Sequence, residues 1–265
     1  MNNVIDAEFE ELLSEGITEQ GRMNYKNLKD DEPVEEGIAV FANTDEFRQT
    51  GISTVQVPFD SIFLEKMYNW FSKDMPLDWW YKATRPYPED SFIPETDVNK
   101  ERINLQHSIS KESMSNRNFS FSFSRTLDNH PDRCRCLECD LRTQLSSQEF
   151  LNFIEVMTGE KVTEPKEMFA SWYKKGDFLT THNDEDHGKV GFVLSLTKDW
   201  IPEYGGNLHI WSEDEEGNLK DIKRVIIPKF GELVLFTLTD GKAPHYVSEV
   251  VIDNPKRIAF TGWYK

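Results

Sequence analysis

Residues 168–184 read MFASWYKKGDFLTTHND, and the change of pattern in this stretch decides the fold prediction. From Met168 onward the hydrophobic period changes from helical to alternating, which is typical of strands. Lys175-Gly176-Asp177 is a turn signal between two such strands. His182 and Asp184 lie two residues apart, so on an extended segment both side chains project to the same face.

The alternating pattern continues to the end of the chain. The candidate strands are Met168–Tyr173, Val190–Thr197, Asn207–Trp211, Arg224–Ile227, Glu232–Thr239, His245–Val251 and Arg257–Tyr264. Turn signals such as Gly205-Gly206 and Asp253-Asn254-Pro255 separate them, and neither helices nor an internal repeat intervene. This pattern disfavours a parallel α/β sheet and predicts a mainly β fold with a jelly-roll, cupin-like core.

Two helices are predicted ahead of these strands and are expected to flank the core. Asp60 or Ser61 caps the first helix, and Ser146 with Glu149 forms a capping-box pattern for the second, which ends at Gly159. The apolar side chains that share one face are Phe63, Met67, Trp70 and Phe71 in the first helix and Phe150, Leu151, Phe153, Ile154 and Met157 in the second.

The composition excludes several classes of protein. The 265 residues include 30 Lys+Arg and 47 Asp+Glu, a net charge of −17, and an acidic surface repels phosphate, so no direct nucleic-acid binding is expected. The longest apolar run, residues 38–42, is too short for a membrane span, and the first residues lack a signal-peptide pattern. Three clustered cysteines argue against a secreted disulfide framework. We therefore expect a cytoplasmic or other reducing intracellular compartment.

The domain organisation follows from charge and pattern. Residues 1–36 hold 11 acidic and 3 basic side chains, so residues 1–50 are predicted to be an acidic, partly flexible arm. Residues 51–265 are predicted to form a single domain, with its strand core at about 165–265 and a substrate lid at about 76–145. The sequence sets no oligomeric state.

The predicted lid is rich in aromatic residues and prolines. Its side chains could clamp a peptide turn, or the segment could simply pack on the barrel as a covering loop. Arg102, Arg125 and His107 could instead meet a substrate carboxylate, which would favour a free amino acid. The aromatic residues concerned are Trp79, Trp80, Tyr81, Tyr87 and Phe92.

Three side chains are candidates for one metal ion. His182 and Asp184 offer two ligands, and His245 lies on a late strand that a jelly roll can fold back beside the first. Two histidines and one carboxylate form the facial triad of non-haem Fe(II) oxygenases. The alternative for His245 is a hydrogen-bonded histidine of the barrel interior. A second His-x-Asp, His130-Pro131-Asp132, is rejected because it lies in a predicted loop with no matching strand.

Arg257 strengthens this assignment. It lies twelve residues past His245 on the last predicted strand, and a guanidinium suits the far carboxylate of a metal-bound dicarboxylate cosubstrate. Arg257, Ala259 and Thr261 share one face of that strand, so Thr261 could help to hold the same carboxylate. The alternative for Arg257 is a surface salt bridge.

The last third of the chain resembles the double-stranded β-helix of the Fe(II)/2-oxoglutarate-dependent oxygenases. It is most similar to the prolyl 4-hydroxylase-like enzymes that act on ribosomal proteins and translation factors. The matching segments are Tyr173-x-x-Gly176, His182-x-Asp184, Gly205-Gly206-Asn207-Leu208, His245-x-Val247-Ser248-Glu249-Val250 and Arg257-Ile-Ala-Phe-Thr-Gly262-Trp263-Tyr264. The resemblance implies that His182, Asp184 and His245 bind Fe(II) and that Arg257 anchors 2-oxoglutarate.

The resemblance also implies a reaction. O₂ is consumed, 2-oxoglutarate is decarboxylated to succinate, an unactivated C–H is hydroxylated, and ascorbate is a candidate reductant. Asp184 favours hydroxylation over halogenation, because related halogenases have a small residue there. Prolyl hydroxylases of this kind usually place a tyrosine on the strand after His-x-Asp to hold 2-oxoglutarate, whereas the register here offers Ser195. Tyr173 is the other cosubstrate-binding candidate.

Three functions are therefore weighed. The first is hydroxylation of an exposed proline in a protein or peptide, with a ribosomal or translation protein as partner. The acidic exterior of this chain would attract such a partner if the partner is basic. The second is hydroxylation of a free amino acid or other small molecule. The third is an inactive barrel that serves as a binding module. The eukaryotic ribosomal enzymes carry a second barrel that this chain lacks, which weakens the ribosomal assignment.

A second cluster consists of His130, Cys134, Cys136 and Cys139. It could bind a structural Zn²⁺, although Cys-x-Cys is poorer geometry than two Cys-x-x-Cys knuckles. The alternative is a loop with reduced thiols. His187 and His209 are assigned no role.

Overall fold

The computed structural model describes residues 44–128, 130, 134–239 and 243–265. Most of the predicted acidic arm lies outside the described residues, and its last seven residues, 44–50, are helical and are called α1. The arm therefore stays a prediction.

The described chain forms twelve strands in one sheet in which every paired neighbour is antiparallel. The strands are β1 Ile52–Gln56, β2 Tyr81–Thr84, β3 Ser91–Pro94, β4 Phe121–Arg125, β5 Pro165–Tyr173, β6 Phe178–His182, β7 Val190–Ser195, β8 Leu208–Glu213, β9 Leu219–Ile226, β10 Glu232–Thr237, β11 His245–Val247 and β12 Arg257–Tyr264. The main order is β1-β10-β7-β12-β5-β4-β6-β11-β8-β9. Side chains from eight of these strands line one common cavity, so the sheet closes on itself, and the mainly β, jelly-roll prediction is confirmed.

Alternation along β12 separates the two faces of this sheet. Ile258, Phe260 and Tyr264 are buried in the core between the sheet and the helices. The odd-numbered positions from Arg257 to Trp263 face the cavity instead. Because side chains alternate with a period of two, one strand contributes to both the packing layer and the site.

Four further helices lie beside the sheet, namely α2 Ser61–Asn69, α3 Lys100–Ser115, α4 Leu137–Leu145 and α5 Gln148–Thr158. Asp60 caps α2 as predicted, accepting a hydrogen bond from the Phe63 N–H at 2.8 Å. The cap of α5 is Ser147 rather than Ser146, because the Ser147 hydroxyl accepts from the Phe150 N–H at 3.2 Å. Gly159 ends α5 with φ 74°, a left-handed conformation that favours glycine. Among the described helices, none combines the length and the apolar composition that a bilayer crossing requires.

Most of the predicted lid is regular structure. It contains β2, β3, β4, α3 and α4, and β4 joins the two halves of the sheet by pairing with both β5 and β6. A buried ion pair between Lys82 on β2 and Asp177 in the turn before β6 fixes this region to the strand core. Because both charges are buried together, each depends on the other.

Candidate active site

The two candidate histidines meet because their strands pair. His245, the first residue of β11, lies opposite His182, the last residue of β6, and their ring centroids are 4.3 Å apart. Asp184 follows just past the strand with φ −99° and ψ 22°, at the start of a 3-10 turn. The carboxylate therefore reaches the histidines because the chain turns, and not because residues 182–184 are extended as predicted.

The three side chains form one cluster of metal-ligand atoms. These atoms all lie within 4.8 Å of one another. Nε2 of His182 is 3.4 Å from Asp184 Oδ1, and Nε2 of His245 is 3.7 Å from Asp184 Oδ2. All three side chains are largely buried, so this donor set fits a single divalent cation of the non-haem iron type.

Backbone carbonyls orient both imidazoles. His182 Nδ1 donates to Thr180 O at 3.0 Å, and His245 Nδ1 donates to Ala243 O at 2.8 Å. These bonds leave both Nε2 lone pairs directed at the cluster, as metal-binding histidines require. Burial, assisted by the neighbouring His245, lowers the pKa of His182 to about 4. The ring is therefore neutral and able to bind a metal near pH 7.

The indole of Trp263 orients the carboxylate of Asp184. Its Nε1–H donates to Asp184 Oδ2 at 3.0 Å, and the ring of His187 stacks on the same indole at 4.3 Å. Neither residue was assigned a role from the sequence. The available signal was the alternation of β12, which puts Trp263 on the face that carries Arg257 and Thr261.

We expect Trp263→Phe to weaken metal binding by about 10- to 100-fold, because it removes the outer hydrogen bond that fixes a ligating carboxylate. Anaerobic titration with Fe(II) measures this effect. Trp211→Phe is the matched control, since the Trp211 indole donates at 2.9 Å to Thr181, which is not a ligand. An equal loss in both variants, or no loss in Trp263→Phe, contradicts this role for Trp263.

Arg257 is a buried cation without an acidic partner. The residue is 5% exposed, and its Nε has no hydrogen-bond partner in the described ranges of the chain. No ion pair to it is found among the described residues, so the surface-salt-bridge alternative fails. Its guanidinium lies 4.9 Å from the centre of the Tyr173 ring, and burial lowers the pKa of Arg257. An isolated buried charge is costly, so this position fits an anionic ligand such as a dicarboxylate.

A glycine allows the Arg257 side chain to lie where it does. A Cβ on Gly206 would lie 3.1 Å from Arg257 Cδ and 3.0 Å from Val250 Cγ2. Gly206 also has φ +64°, a conformation that side chains disfavour. The Gly205-Gly206 segment therefore serves both as a turn and as space for the arginine.

The remaining cosubstrate candidates differ in position. Tyr173 lines the cavity and stacks on Phe123 at 4.9 Å, and burial raises the pKa of Tyr173, so its phenol stays neutral. Thr261 also lines the cavity, and its hydroxyl donates to Phe192 O at 2.8 Å. Ser195 pairs with Ala259 and lies outside the cavity lining, so its role stays a prediction.

None of the three lid residues considered for a substrate carboxylate lines the cavity. Arg102 is exposed on α3, Arg125 pairs with Glu167, and His107 is bonded to Ser122 at 2.7 Å. The lid aromatic residues divide into two groups. Trp80 is 1% exposed and stacks on Trp172 at 4.1 Å, and Tyr81 is half-buried. The exposed group consists of Trp79, Tyr87 and Phe92.

The second predicted cluster also forms. His130, Cys134, Cys136 and Cys139 bring their ligand atoms within 4.8 Å of one another, and all three thiols are free. Pro131 and Asp132 lie outside the described residues. His209 stacks on Tyr246 at 4.5 Å, away from both clusters.

Comparison with known proteins gives matches over the strand core. Residues 168–265 match the family model of the 2OG-Fe(II) oxygenase superfamily. Over 122 residues the chain is 29% identical to prolyl 3-hydroxylase OGFOD1 of Mus musculus, covering 46% of this chain and 22% of that protein. The Xenopus laevis protein of the same name is 27% identical over 118 residues, covering 44% and 23%. The matched segment thus spans between a fifth and a quarter of these relatives.

Solved structures match over nearly the whole chain. A 2OG-Fe(II) oxygenase family oxidoreductase of Burkholderia pseudomallei has a TM-score of 0.56 and 13% identity, covering 89% of this chain and 92% of its own. A prolyl hydroxylase of Trichoplax adhaerens, solved with a hypoxia inducible factor peptide fragment, has a TM-score of 0.54 and 14% identity, covering 88% and 94%. At these identities the likeness concerns the fold, and it agrees with the predicted double-stranded β-helix.

Proposed function

We propose that the protein is an Fe(II)- and 2-oxoglutarate-dependent dioxygenase that hydroxylates a prolyl residue in a protein or peptide, since residues 168–265 match the family model of the 2OG-Fe(II) oxygenase superfamily. One observation carries the proposal. The His182, Asp184 and His245 cluster and the unpaired Arg257 line the same cavity. A metal-ligand triad and a buried cation in one cavity suit a dicarboxylate that binds a metal at one end and an arginine at the other.

His182, Asp184 and His245 would hold Fe(II). When bound, the metal supplies O₂ activation coupled to decarboxylation of 2-oxoglutarate to succinate and CO₂. Trp263 keeps the Asp184 carboxylate in its ligating orientation through the 3.0 Å bond. The backbone bonds to Nδ1 keep both imidazoles in the tautomer that presents Nε2.

Arg257 would bind the far carboxylate of 2-oxoglutarate. The neutral phenol of Tyr173 lines the same cavity and offers a hydrogen-bond donor to that carboxylate. Thr261 also lines the cavity, but its hydroxyl proton is donated to Phe192 O, so a contact with the carboxylate would require Thr261 to exchange that bond. Apolar side chains complete the wall and limit the access of water, which strengthens the charge–charge contact. Those side chains include Phe169, Leu179, Val193, Leu208, Phe236 and Val247.

The peptide substrate is favoured over a free amino acid. A free amino acid would need a cation for its carboxylate, and the lid candidates for this contact, Arg102, Arg125 and His107, lie outside the cavity lining. Burial also lowers the pKa of His107 to about 4, so its ring is neutral near pH 7. The relatives of 26–29% identity are prolyl hydroxylases by name. The intact triad and the unpaired Arg257 disfavour an inactive binding module.

The partner, the reductant and the compartment are each assigned from one property of the chain. A basic ribosomal or translation protein would be attracted by the net charge of −17 through electrostatic steering. Ascorbate as reductant follows from the family resemblance. A reducing intracellular compartment follows from the three free thiols.

A succinate-release screen tests the substrate. We expect proline-containing peptides of basic sequence to stimulate succinate release and to gain one oxygen atom by mass spectrometry. The matched control peptide has alanine in place of the proline and should stay at the uncoupled background, as should free proline. Stimulation by free amino acids alone contradicts the peptide assignment, and absence of any 2-oxoglutarate turnover contradicts the oxygenase assignment.

A further inference from the structure

We propose that His130, Cys134, Cys136 and Cys139 bind a structural Zn²⁺, separate from the candidate iron site. Their ligand atoms all lie within 4.8 Å of one another, and His130 Nδ1 is 3.5 Å from Cys136 Sγ and 3.4 Å from Cys139 Sγ. Four ligands on a tetrahedral Zn²⁺ lie about 3.8 Å apart at a Zn–S distance near 2.3 Å. The cluster therefore needs shifts of only about 1 Å to close around the ion.

A buried carboxylate orients the histidine for this role. His130 Nε2 lies 3.5 Å from Glu138 Oε2. The Glu138 side chain is fully buried, and within the part of the chain that the structure describes its Oε2 has no hydrogen-bond partner. The other oxygen, Oε1, accepts from Thr126 Oγ1 at 2.9 Å and from Arg142 at 2.7 Å. A zinc-bound histidine typically donates its second N–H to a carboxylate, and Glu138 is placed for that bond.

The helix that follows also suits a metal site. Cys136 is the N-cap of α4, and Cys139 lies in its first turn. Cys136-x-x-Cys139 has the spacing of a zinc knuckle. The poorer Cys-x-Cys spacing therefore concerns Cys134 alone. A disulfide between any two of the three thiols would leave the third thiol and His130 without a role.

The position of the cluster points to a structural function. Trp79 of the predicted lid packs edge-on against His130, with ring centroids 5.7 Å apart. Arg142, which binds Glu138, lies 5.7 Å from the centre of the Phe260 ring on β12. Zinc bound here would connect two parts of the lid, the segment of Trp79 and α4, with β12 of the sheet. None of the four ligands lines the candidate active-site cavity.

Metal analysis of the purified full-length protein tests the site. We expect about one zinc per chain to remain after iron has been removed by dialysis, and Cys136→Ser and Cys139→Ser to lose at least about tenfold in retained zinc. His182→Ala should keep its zinc and lose iron, and His209→Gln is the matched histidine control. A wild-type protein without zinc, or cysteine variants with wild-type zinc, overturns the proposal.

A second pair of measurements does not depend on the folding of the cysteine variants. Wild-type protein loaded with Co²⁺ should show thiolate-to-metal charge-transfer absorption, and Glu138→Gln should weaken Zn²⁺ binding about 10- to 100-fold in competition with a chelator. Absence of thiolate absorption overturns the site. Wild-type affinity in Glu138→Gln overturns the positioning role of Glu138.

Discussion

Asp184→Ala is expected to reduce 2-oxoglutarate turnover to below about 1% of wild type, because losing a metal ligand should exceed the 10- to 100-fold effect of losing an outer hydrogen bond. His245→Ala should have the same effect. Each change would leave only two of the three side chains that would hold Fe(II). Succinate release and bound iron, measured on the same preparations, report activity and ligation separately.

The controls for this prediction are matched in residue type. Asp186→Ala changes an exposed carboxylate two residues away, and His209→Ala changes a histidine that stacks on Tyr246 outside the cluster. Both should keep wild-type turnover. Undiminished turnover in Asp184→Ala or His245→Ala disproves the triad.

The triad could be found from the sequence because it depends on short-range features. His182 and Asp184 are close in the chain, and His245 begins a strand whose alternation is visible. The prediction that an extended segment aligns His182 with Asp184 was wrong in mechanism, since Asp184 begins a turn. Such a turn leaves no hydrophobic period to detect, although the residue types still indicate the chemistry.

The strands and helices of the lid were missed for a different reason. β2 contains Lys82 at a position that is 1% exposed, and its charge is paired with Asp177, 95 residues away. The buried positions of α3 include Ser110 and Ser113 as well as Ile103. Where buried positions are polar, binary patterning cannot identify the element, and tertiary partners decide its structure.

Trp263 and Glu138 illustrate the same limit at the level of sites. Trp263 orients Asp184, which lies 79 residues earlier in the chain. Glu138 orients His130, which lies 8 residues earlier. Neither spacing in the sequence predicts that the two residues are in contact. Only the strand register of β12 and the first turn of α4 bring these groups into contact, so orienting residues emerge from the structure.

Arg257→Met is expected to raise the KM for 2-oxoglutarate by roughly 30-fold or more, with a smaller effect on the KM for the peptide. Truncating one partner of a buried charge pair costs about 2–5 kcal/mol, and each 1.4 kcal/mol is tenfold. Without cosubstrate the variant should be at least as stable as wild type, because a buried cation without an acidic partner is removed. Steady-state kinetics and thermal unfolding measure the two effects.

A second cosubstrate makes this prediction specific to the far carboxylate. Wild type should discriminate strongly against a 2-oxo acid that lacks this group, whereas Arg257→Met should treat the two acids nearly alike, because the interacting pair is already lost. Arg257→Lys should recover part of the discrimination, since it restores the charge without the bidentate contact. Arg224→Met, which breaks an ion pair to Glu46, is the control and should discriminate as wild type does. Full discrimination in Arg257→Met would mean that another residue binds the far carboxylate.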